Sequence, residues 1–387
     1  MTRPTPTLMR TLTDETVLRL LMAGVSLTRA EIASATGLSK PTAGESVRRL
    51  ESLGLVADTG EVTRGRGGVG TYYALAPDAG VALAVGLAPE GVVAEVLGPD
   101  GVVRGRAVRA VGRPVSREAV EKLLVAAVEE VLAGVSGTAV SGAAPSRTGA
   151  VQKTAGPRVR AAVVSAADPV DRATGQLVHL PDSPFLLGAL SPAEQLGPLT
   201  GGTVLVDNDV NWAARAERDA RAGRPADFVY LYLGEGLGAA VMADGEVRRG
   251  HGGLAGEISH VTTAGGESLI EVFAGLGLRQ PGTTAIDVQR LLEAAEDPVV
   301  VQVLGRAVAG VVKGAVAFLD PELVVLGGSW GSDPVIVEAV RTEVAALPRP
   351  VTVEPAVLTE EPALAGARSA AHALLQEDIV QRSRLSP

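Results

Sequence analysis

Five polar residues in the middle of the chain have types and spacing able to do chemistry. Residues 203–211 read Thr-Val-Leu-Val-Asp-Asn-Asp-Val-Asn, an apolar run that passes straight into short polar side chains. A helical stretch from Trp212 to Glu217 follows, so Asn208 and Asp209 lie just past a strand end, where α/β folds commonly hold ligands. Further on, Gly252-Gly-Leu-Ala-Gly-Glu-Ile-Ser-His260 places Glu257 and His260 three apart in a polar turn, able to converge on one ligand. Glu271 then opens the amphipathic stretch from Leu269 to Ala274. Carboxylates, an amide and an imidazole suit a ligand rich in hydroxyls, which needs hydrogen bonds in defined directions. Taken singly, each residue has a plainer use. Asp209 can simply cap the helix that follows it, and His260 can be a structural histidine.

The elements that must position these residues alternate between strand and helix. Val81–Leu87 and Val92–Leu97 have strand character, Arg117–Leu132 is helical, and Val204–Val206 reads as a buried strand. Phe228–Leu233 and Ala239–Met242 are strands again, Val301–Leu319 is helical, and Leu323–Leu326 is the last clear strand. Such alternation predicts an α/β body with a ligand cleft. Residues 135–158, rich in Ser, Thr, Gly, Ala and Pro, read as a surface loop. No internal repeat of fixed period is visible.

Ahead of this body the pattern is helical. Residues 14–23 set Val17, Leu18, Leu20 and Leu21 along one face. Thr28 caps a second helix over 29–36 with Ile32 and Ala33 facing inward, and Gly37 permits a sharp left-handed turn. Ser39 caps a third helix, with Pro41 in its first turn and a stripe of Ala43, Val47, Leu50 and Leu53. Two short strand-like runs, 55–57 and 72–75, flank Arg64-Gly-Arg-Gly-Gly-Val-Gly70. The whole reads as a winged helix-turn-helix that binds double-stranded DNA. Its expected DNA contacts are Lys40, Thr42, Glu45, Arg48 and Arg49 on the third helix, with Arg64 and Arg66 in the wing.

Composition narrows the remaining classes. The chain has 387 residues, 46% hydrophobic and 20% charged, as expected of two or three globular units. There is no cysteine, which excludes disulfides, a thiolate metal site and a cysteine nucleophile. Residues 1–76 hold nine Lys/Arg against seven Asp/Glu, whereas the rest hold 26 against 37. A mildly basic head on an acidic body suits a DNA reader whose body is kept off the phosphates. No signal-peptide pattern opens the chain, and Arg306 and Lys313 interrupt its best apolar run. The expectation is a cytoplasmic protein with no membrane partner.

The two central segments together resemble the sugar-binding signature of the ROK (repressor, open reading frame, kinase) family. The head resembles the winged helix of ROK-type repressors, including the phrase Gly37-Leu-Ser-Lys-Pro-Thr42. The resemblance covers roughly residues 1–375 and is strongest over 200–275. It implies a winged helix-turn-helix over 1–78 and a two-lobed, hexokinase-like (actin-like ATPase) body over 79–387. It also implies sugar contacts at Asn208, Asp209, Glu257, His260 and Glu271, with Asp209 in the place of the family's catalytic base. The phosphate-binding segments depart from the family. Where its kinases carry D-x-G-G-T this chain reads Gly86-Leu-Ala-Pro-Glu90, and G-T-G-x-G is replaced by Gly234-Glu-Gly-Leu-Gly238. The family's cysteine-rich zinc loop is missing after His260, and its G-x-P-G loop reads Ser165-Ala-Ala-Asp-Pro169. In the recognition helix Gly44-Glu45 stands where relatives often have Ser-Arg.

The expected function is therefore a transcriptional regulator, a repressor in the first instance. Its body takes a sugar or sugar-phosphate effector without phosphorylating it, and it works as a homodimer or homotetramer without metal or cofactor. Two alternatives stay open, an ATP-dependent sugar kinase with Asp209 as general base and a regulator that has lost its effector.

Overall fold

The computed structural model describes residues 5–65, 68–112, 116–137, 157–180, 190–263 and 265–384. The head comprises α1 (Pro6–Leu21), β1 (Leu27–Thr28), α2 (Arg29–Thr36), α3 (Lys40–Ser52), β2 (Val56–Gly65) and β3 (Gly68–Leu75). Local signals place these boundaries. The Thr28 hydroxyl accepts from the Glu31 N–H at 3.3 Å while the Glu31 carboxylate takes the Thr28 N–H at 2.8 Å, a reciprocal cap at the start of α2. The Ser39 hydroxyl accepts from the Thr42 N–H at 3.3 Å and starts α3. Val17, Leu18, Leu21, Ile32, Ala43, Val47 and Leu50 are all buried, each larger side chain contributing about 1.5–3 kcal/mol. The wing is an antiparallel β2–β3 hairpin, with β1 added to the other edge of β3. α1 starts earlier than its apolar face predicts. Thr5 caps it and Pro6 opens it, and its first two turns carry the exposed Leu8, Met9 and Leu12.

The first lobe of the body contains β4 (Val81–Ala88), β5 (Gly91–Leu97), β6 (Val103–Ala110), α4 (Arg117–Gly137), β7 (Val159–Ala166), α5 (Pro192–Leu196) and β8 (Thr203–Asn208). Of the stretch read as a loop over 135–158, residues 135–137 finish α4 instead, and 138–156 lie outside the described residues. The second lobe follows α6 (Asp209–Ala220). It holds β9 (Phe228–Leu233), β10 (Leu237–Ala243), β11 (Glu246–Val247), α7 (Leu269–Gly275), α8 (Val288–Ala294), α9 (Pro298–Leu319), β12 (Leu323–Gly327), α10 (Pro334–Val344) and β13 (Thr352–Pro355). A last helix, α11 (Pro362–Arg384), returns to the first lobe.

The two sheets have one plan. Their orders are β6-β5-β4-β7-β8 and β11-β10-β9-β12-β13, each with two antiparallel outer strands and three parallel ones. This repeat of topology has no counterpart as a period in the sequence. α9 is long and apolar enough to cross a membrane despite Arg306 and Lys313. It serves instead as the core helix of the second lobe, with Leu304, Val308 and Val312 buried against β9 and β12 side chains such as Leu231 and Val324.

Two features tie the pieces together. Glu217 on α6 is fully buried and accepts from Arg221 Nε at 2.7 Å and from the backbone N–H groups of Val357 and Leu358. It thereby pins the second crossing between the lobes, just after β13. Meanwhile α11 packs along α6 and across β4 and β7, then reaches the head. Its Leu375, Ile379 and Val380 share one apolar cluster with Val17, Leu18 and Leu21 of α1. Arg384 pairs with Glu15 at 2.6 Å, and Arg382 donates to the Ala79 carbonyl at 2.9 Å.

Candidate functional site

β8 ends and α6 begins at a buried carboxylate. Asp207 accepts from Asn211 Nδ2 at 2.9 Å and from Arg215 Nη1 at 2.9 Å, and it pairs with Arg249 Nε at 3.2 Å. Arg215 also stacks on Trp212, 4.4 Å from the ring centre. Arg249 belongs to the segment that leads into Gly252–His260, so Asp207 ties the two halves of the site together. In the sequence Asp207 is indistinguishable from the last position of a strand, which hides this role. Asn208 caps α6 through the Val210 N–H at 2.9 Å and donates to the carbonyls of Ala166 and Asp168 at 3.4 and 3.3 Å. Asp209 follows with its carboxylate at the cleft.

The Gly252–His260 segment crosses between the lobes by close backbone approach. Gly253 has φ of +92°, and a Cβ there would meet the Val170 carbonyl oxygen at 2.0 Å. Gly256 has φ of +104°, and its Cβ would meet the Ala239 carbonyl oxygen at 1.9 Å, where the Ala239 N–H donates to the Gly256 carbonyl at 2.8 Å. Glycine is required at both points. The result carries Glu257 and His260 into the same cleft as Asn208 and Asp209.

These four residues line one cleft of about 320 Å³. Glu90 of the β4–β5 turn, Glu235 of the β9–β10 turn, Tyr232, Ser259 and Thr284 add to its charged and polar lining, with Pro89 beside Glu90. The cleft is therefore strongly acidic. Desolvation, with the charges of Glu257 and Glu90 behind it, pushes the Asp209 carboxyl up to about 7. Desolvation likewise pushes Glu257 up to about 7, although its side chain is exposed to solvent, which tempers the rise. Burial first and the charges of Asp209, Glu90 and Glu235 next push the Tyr232 phenol up. A carboxyl poised near neutrality can hold a ligand hydroxyl as acceptor or donor, and it can take a proton.

Glu271 is not among the residues that line this cleft, although it feels the charge of His260. It is exposed, and its carboxylate accepts from the backbone N–H and hydroxyl of Ser268, both at 2.7 Å, as the reciprocal cap of α7. Those hydrogen bonds, with His260 adding its charge, hold Glu271 below the ordinary carboxylate range. The Ser268-x-x-Glu271 spacing is a capping signature, and the sequence already carried that signal.

On the head, Lys40, Thr42, Glu45 and Arg48 lie exposed on the outer face of α3. Arg49 has another task. Its guanidinium donates to both Asp14 oxygens, at 2.6 and 3.0 Å, and the buried Ser46 hydroxyl donates to the same carboxylate at 2.6 Å. This joins α3 to α1, and Arg49 is held firmly in its charged form by that hydrogen bonding. Arg64 lies at the end of β2, and Arg66 falls outside the described residues. Arg48→Ala is expected to weaken binding to all duplex sequences alike and to lower the log–log salt slope by about 0.9 if one phosphate contact is lost. Glu45→Ala is expected to alter preference at one base pair instead, since a carboxylate in the major groove accepts from cytosine N4. Titrations of a panel of duplexes at several salt concentrations separate the two. An unchanged preference in Glu45→Ala removes it from the base-reading set.

Comparisons with known proteins agree with this arrangement. A winged helix-turn-helix DNA-binding domain matches residues 10–57, and the ROK family matches residues 150–374. Among curated proteins, the bifunctional enzyme NanE/NanK of Brucella suis biovar 1 is 28% identical over 148 residues, which are 35% of this chain and 28% of that protein. An N-acetylmannosamine kinase of Citrobacter koseri is 31% identical over 174 residues, 41% of this chain and 57% of that enzyme. A xylose repressor of Caldicellulosiruptor bescii is 40% identical over 60 residues, 15% of each chain. The matched stretches thus span less than two thirds of these relatives. Among solved structures, a ROK family transcriptional regulator, a homolog of the E. coli MLC protein, superposes with a TM-score of 0.64 at 17% identity, covering 98% of this chain and all of that one. A ROK family glucokinase of Streptomyces griseus, in complex with glucose and AMPPNP, superposes at 0.52 and 23% identity over 76% of this chain. At such identities the superpositions speak for the fold alone. The family match, however, takes in the Asp207–Asp209 junction, the Gly252–His260 segment, the β9–β10 turn and most of α11, more than half of the chain, and on that basis the chain belongs to the ROK family, with a winged helix-turn-helix head.

Proposed function

We propose that the protein is a DNA-binding transcriptional regulator whose body binds a carbohydrate-like effector without phosphorylating it. One observation carries the second half of this reading. Glu90 and Glu235 sit in the two turns where family kinases cradle phosphate, and both line the same cleft as Asn208, Asp209, Glu257 and His260. A phosphate entering there meets carboxylates. At an effective dielectric of 20 each like-charge contact near 4 Å costs on the order of 4 kcal/mol per unit charge, less where water reaches Glu90. Pro89 also withholds a backbone N–H that a phosphate loop would use. The head at 1–78 and the body at 79–387 are the two working units. A dimer or tetramer would present two heads at the fixed spacing a two-fold operator needs.

A second reading, an ATP-dependent sugar kinase, draws support from Asp209, whose carboxyl near 7 suits a general base, and from the kinases among the relatives. Two measurements decide. Mg²⁺-ATP is expected to leave the melting temperature unchanged, with no phosphate transfer to any hexose, and transfer would establish the kinase. Asp209→Asn and His260→Ala are expected to bind operator DNA as the parent does while losing the effector's influence on that binding. A ligand coupled at a typical 1–3 kcal/mol shifts the DNA titration by about 5–150-fold in the parent. A full response in both variants would place the ligand elsewhere.

A further inference from the structure

Beside the acidic cleft lies a second space of opposite character. It has a volume of about 450 Å³ and is bounded by both lobes, by α6 and by the chain leading from β13 into α11. Ala88, Glu90, Asp209 and Tyr232 border both spaces, so the two adjoin there. Most of the remaining wall is apolar, with Leu87, Val93, Val108, Ala213, Leu358 and Leu364 supplying the bulk of it. Its one further carboxylate, Glu361, is neutralised by Arg106 at 2.5 Å and Arg368 at 3.3 Å. Position 86 accounts for much of this character. Family kinases carry Asp there, and this chain carries Gly. Beyond its chain neighbours, a Cβ on Gly86 would meet only Leu364 Cδ1 within 4 Å, at 3.8 Å. One wall has thus changed from anionic to apolar. Water in such a space finds few hydrogen-bond partners, so an apolar group that displaces it strengthens binding.

We infer that the effector is a carbohydrate carrying an apolar substituent, with its sugar ring in the cleft of Asn208 and His260 and the substituent in the adjoining space. The inference rests on the carbohydrate-effector reading above and specifies its ligand class. The substituent leaves the sugar on the side of Asp209 and Tyr232, because these residues border both spaces. The aglycone of a glycoside and the acyl group of a sugar ester share this chemistry. No covalent step is involved. A ligand that fills both spaces touches both lobes over more surface than a bare sugar does. It therefore has more free energy with which to bias their arrangement.

The test is calorimetry on the full chain. Glucose, mannose, galactose and their N-acetylhexosamine counterparts are each presented as the free sugar, as the methyl and hexyl glycosides, and as the 6-O-acetyl and 6-O-hexanoyl esters. In one of the two linkage series the long-chain form is expected to bind at least about tenfold more tightly than the short-chain form, since each buried methylene contributes up to about fourfold. Its heat capacity change on binding is expected to be the more negative, the mark of apolar burial. Gly86→Val is expected to abolish most of that difference by occupying the space. Val108→Asn lies on an edge strand at a position 57% exposed, where folding tolerates a polar side chain, and is expected to reduce the difference by about threefold. Neither residue lines the sugar cleft, so affinity for the free sugar should stay within about twofold in both variants. If Gly86→Val does not fold, Val108→Asn alone decides. Long and short chains binding alike would overturn the apolar-substituent inference and leave the carbohydrate reading standing. A difference that persists unchanged in the folded variants would do the same. Absence of saturable binding by any free or substituted sugar would overturn the carbohydrate reading itself, and this inference with it.

Discussion

Glu217→Ala is expected to cost about 3–5 kcal/mol of folding stability, because it removes one partner of a buried ion pair. The carboxylate has no exposed surface, and three donors converge on it. Truncation leaves the Val357 and Leu358 N–H groups without their acceptor, each worth about 1–3 kcal/mol when buried. Arg221 keeps Glu354 at 2.6 Å, so its charge is not stranded, and the lower end of the range is the expected value. Glu217→Gln retains an acceptor oxygen and should lose less. Urea unfolding measures both. A loss below about 1 kcal/mol for the alanine variant would mean that water replaces the carboxylate at the crossing.

Asp207→Ala is expected to be as damaging and to reach the site as well. It strands two guanidinium groups at once, those of Arg215 and Arg249, and frees the Asn211 amide. The stability loss is again about 3–5 kcal/mol. The isosteric Asp207→Asn is the more telling variant, since it keeps the shape and removes the charge that holds Arg249 against the end of β8. Glu257 and His260 ride on the segment that Arg249 anchors, so effector affinity in a folded Asp207→Asn protein should fall by about tenfold or more, as for other residues that orient contact groups. Affinity within about twofold of the parent would make Asp207 a purely structural residue.

What could be read from the sequence follows from the range of the interactions involved. The caps at Thr28 and Ser39, the turn at Gly37 and the stripe of α3 are signals within four residues of each other, and they were legible. So were Asn208 and Asp209 at a strand end and the glycine-spaced Glu257 and His260. α11 was not, because its buried residues, from Leu364 through Ala371 to Val380, are mixed with small and polar ones and meet partners hundreds of residues away. β6 escaped because it is an edge strand with only Ala107 buried. Arg49 looked like a groove cation because its partner Asp14 lies 35 residues upstream. Glu271 carries two signals at once: its helix-capping partner is three residues away, and His260 is near enough for its charge to act on the carboxylate.

The apolar cluster that α1 shares with the end of α11 bears on how such proteins can be recombined. A head exchanged by cutting near residue 78 would carry Val17, Leu18 and Leu21 away from Leu375, Ile379 and Val380, and would break the Arg384–Glu15 pair. Both fragments would then present raw apolar surface, inviting aggregation before any question of operator choice arises. The portable unit is discontinuous. A transplant that respects the packing takes the closing turns of the chain together with its opening, so swapping DNA specificity between relatives becomes a two-ended graft.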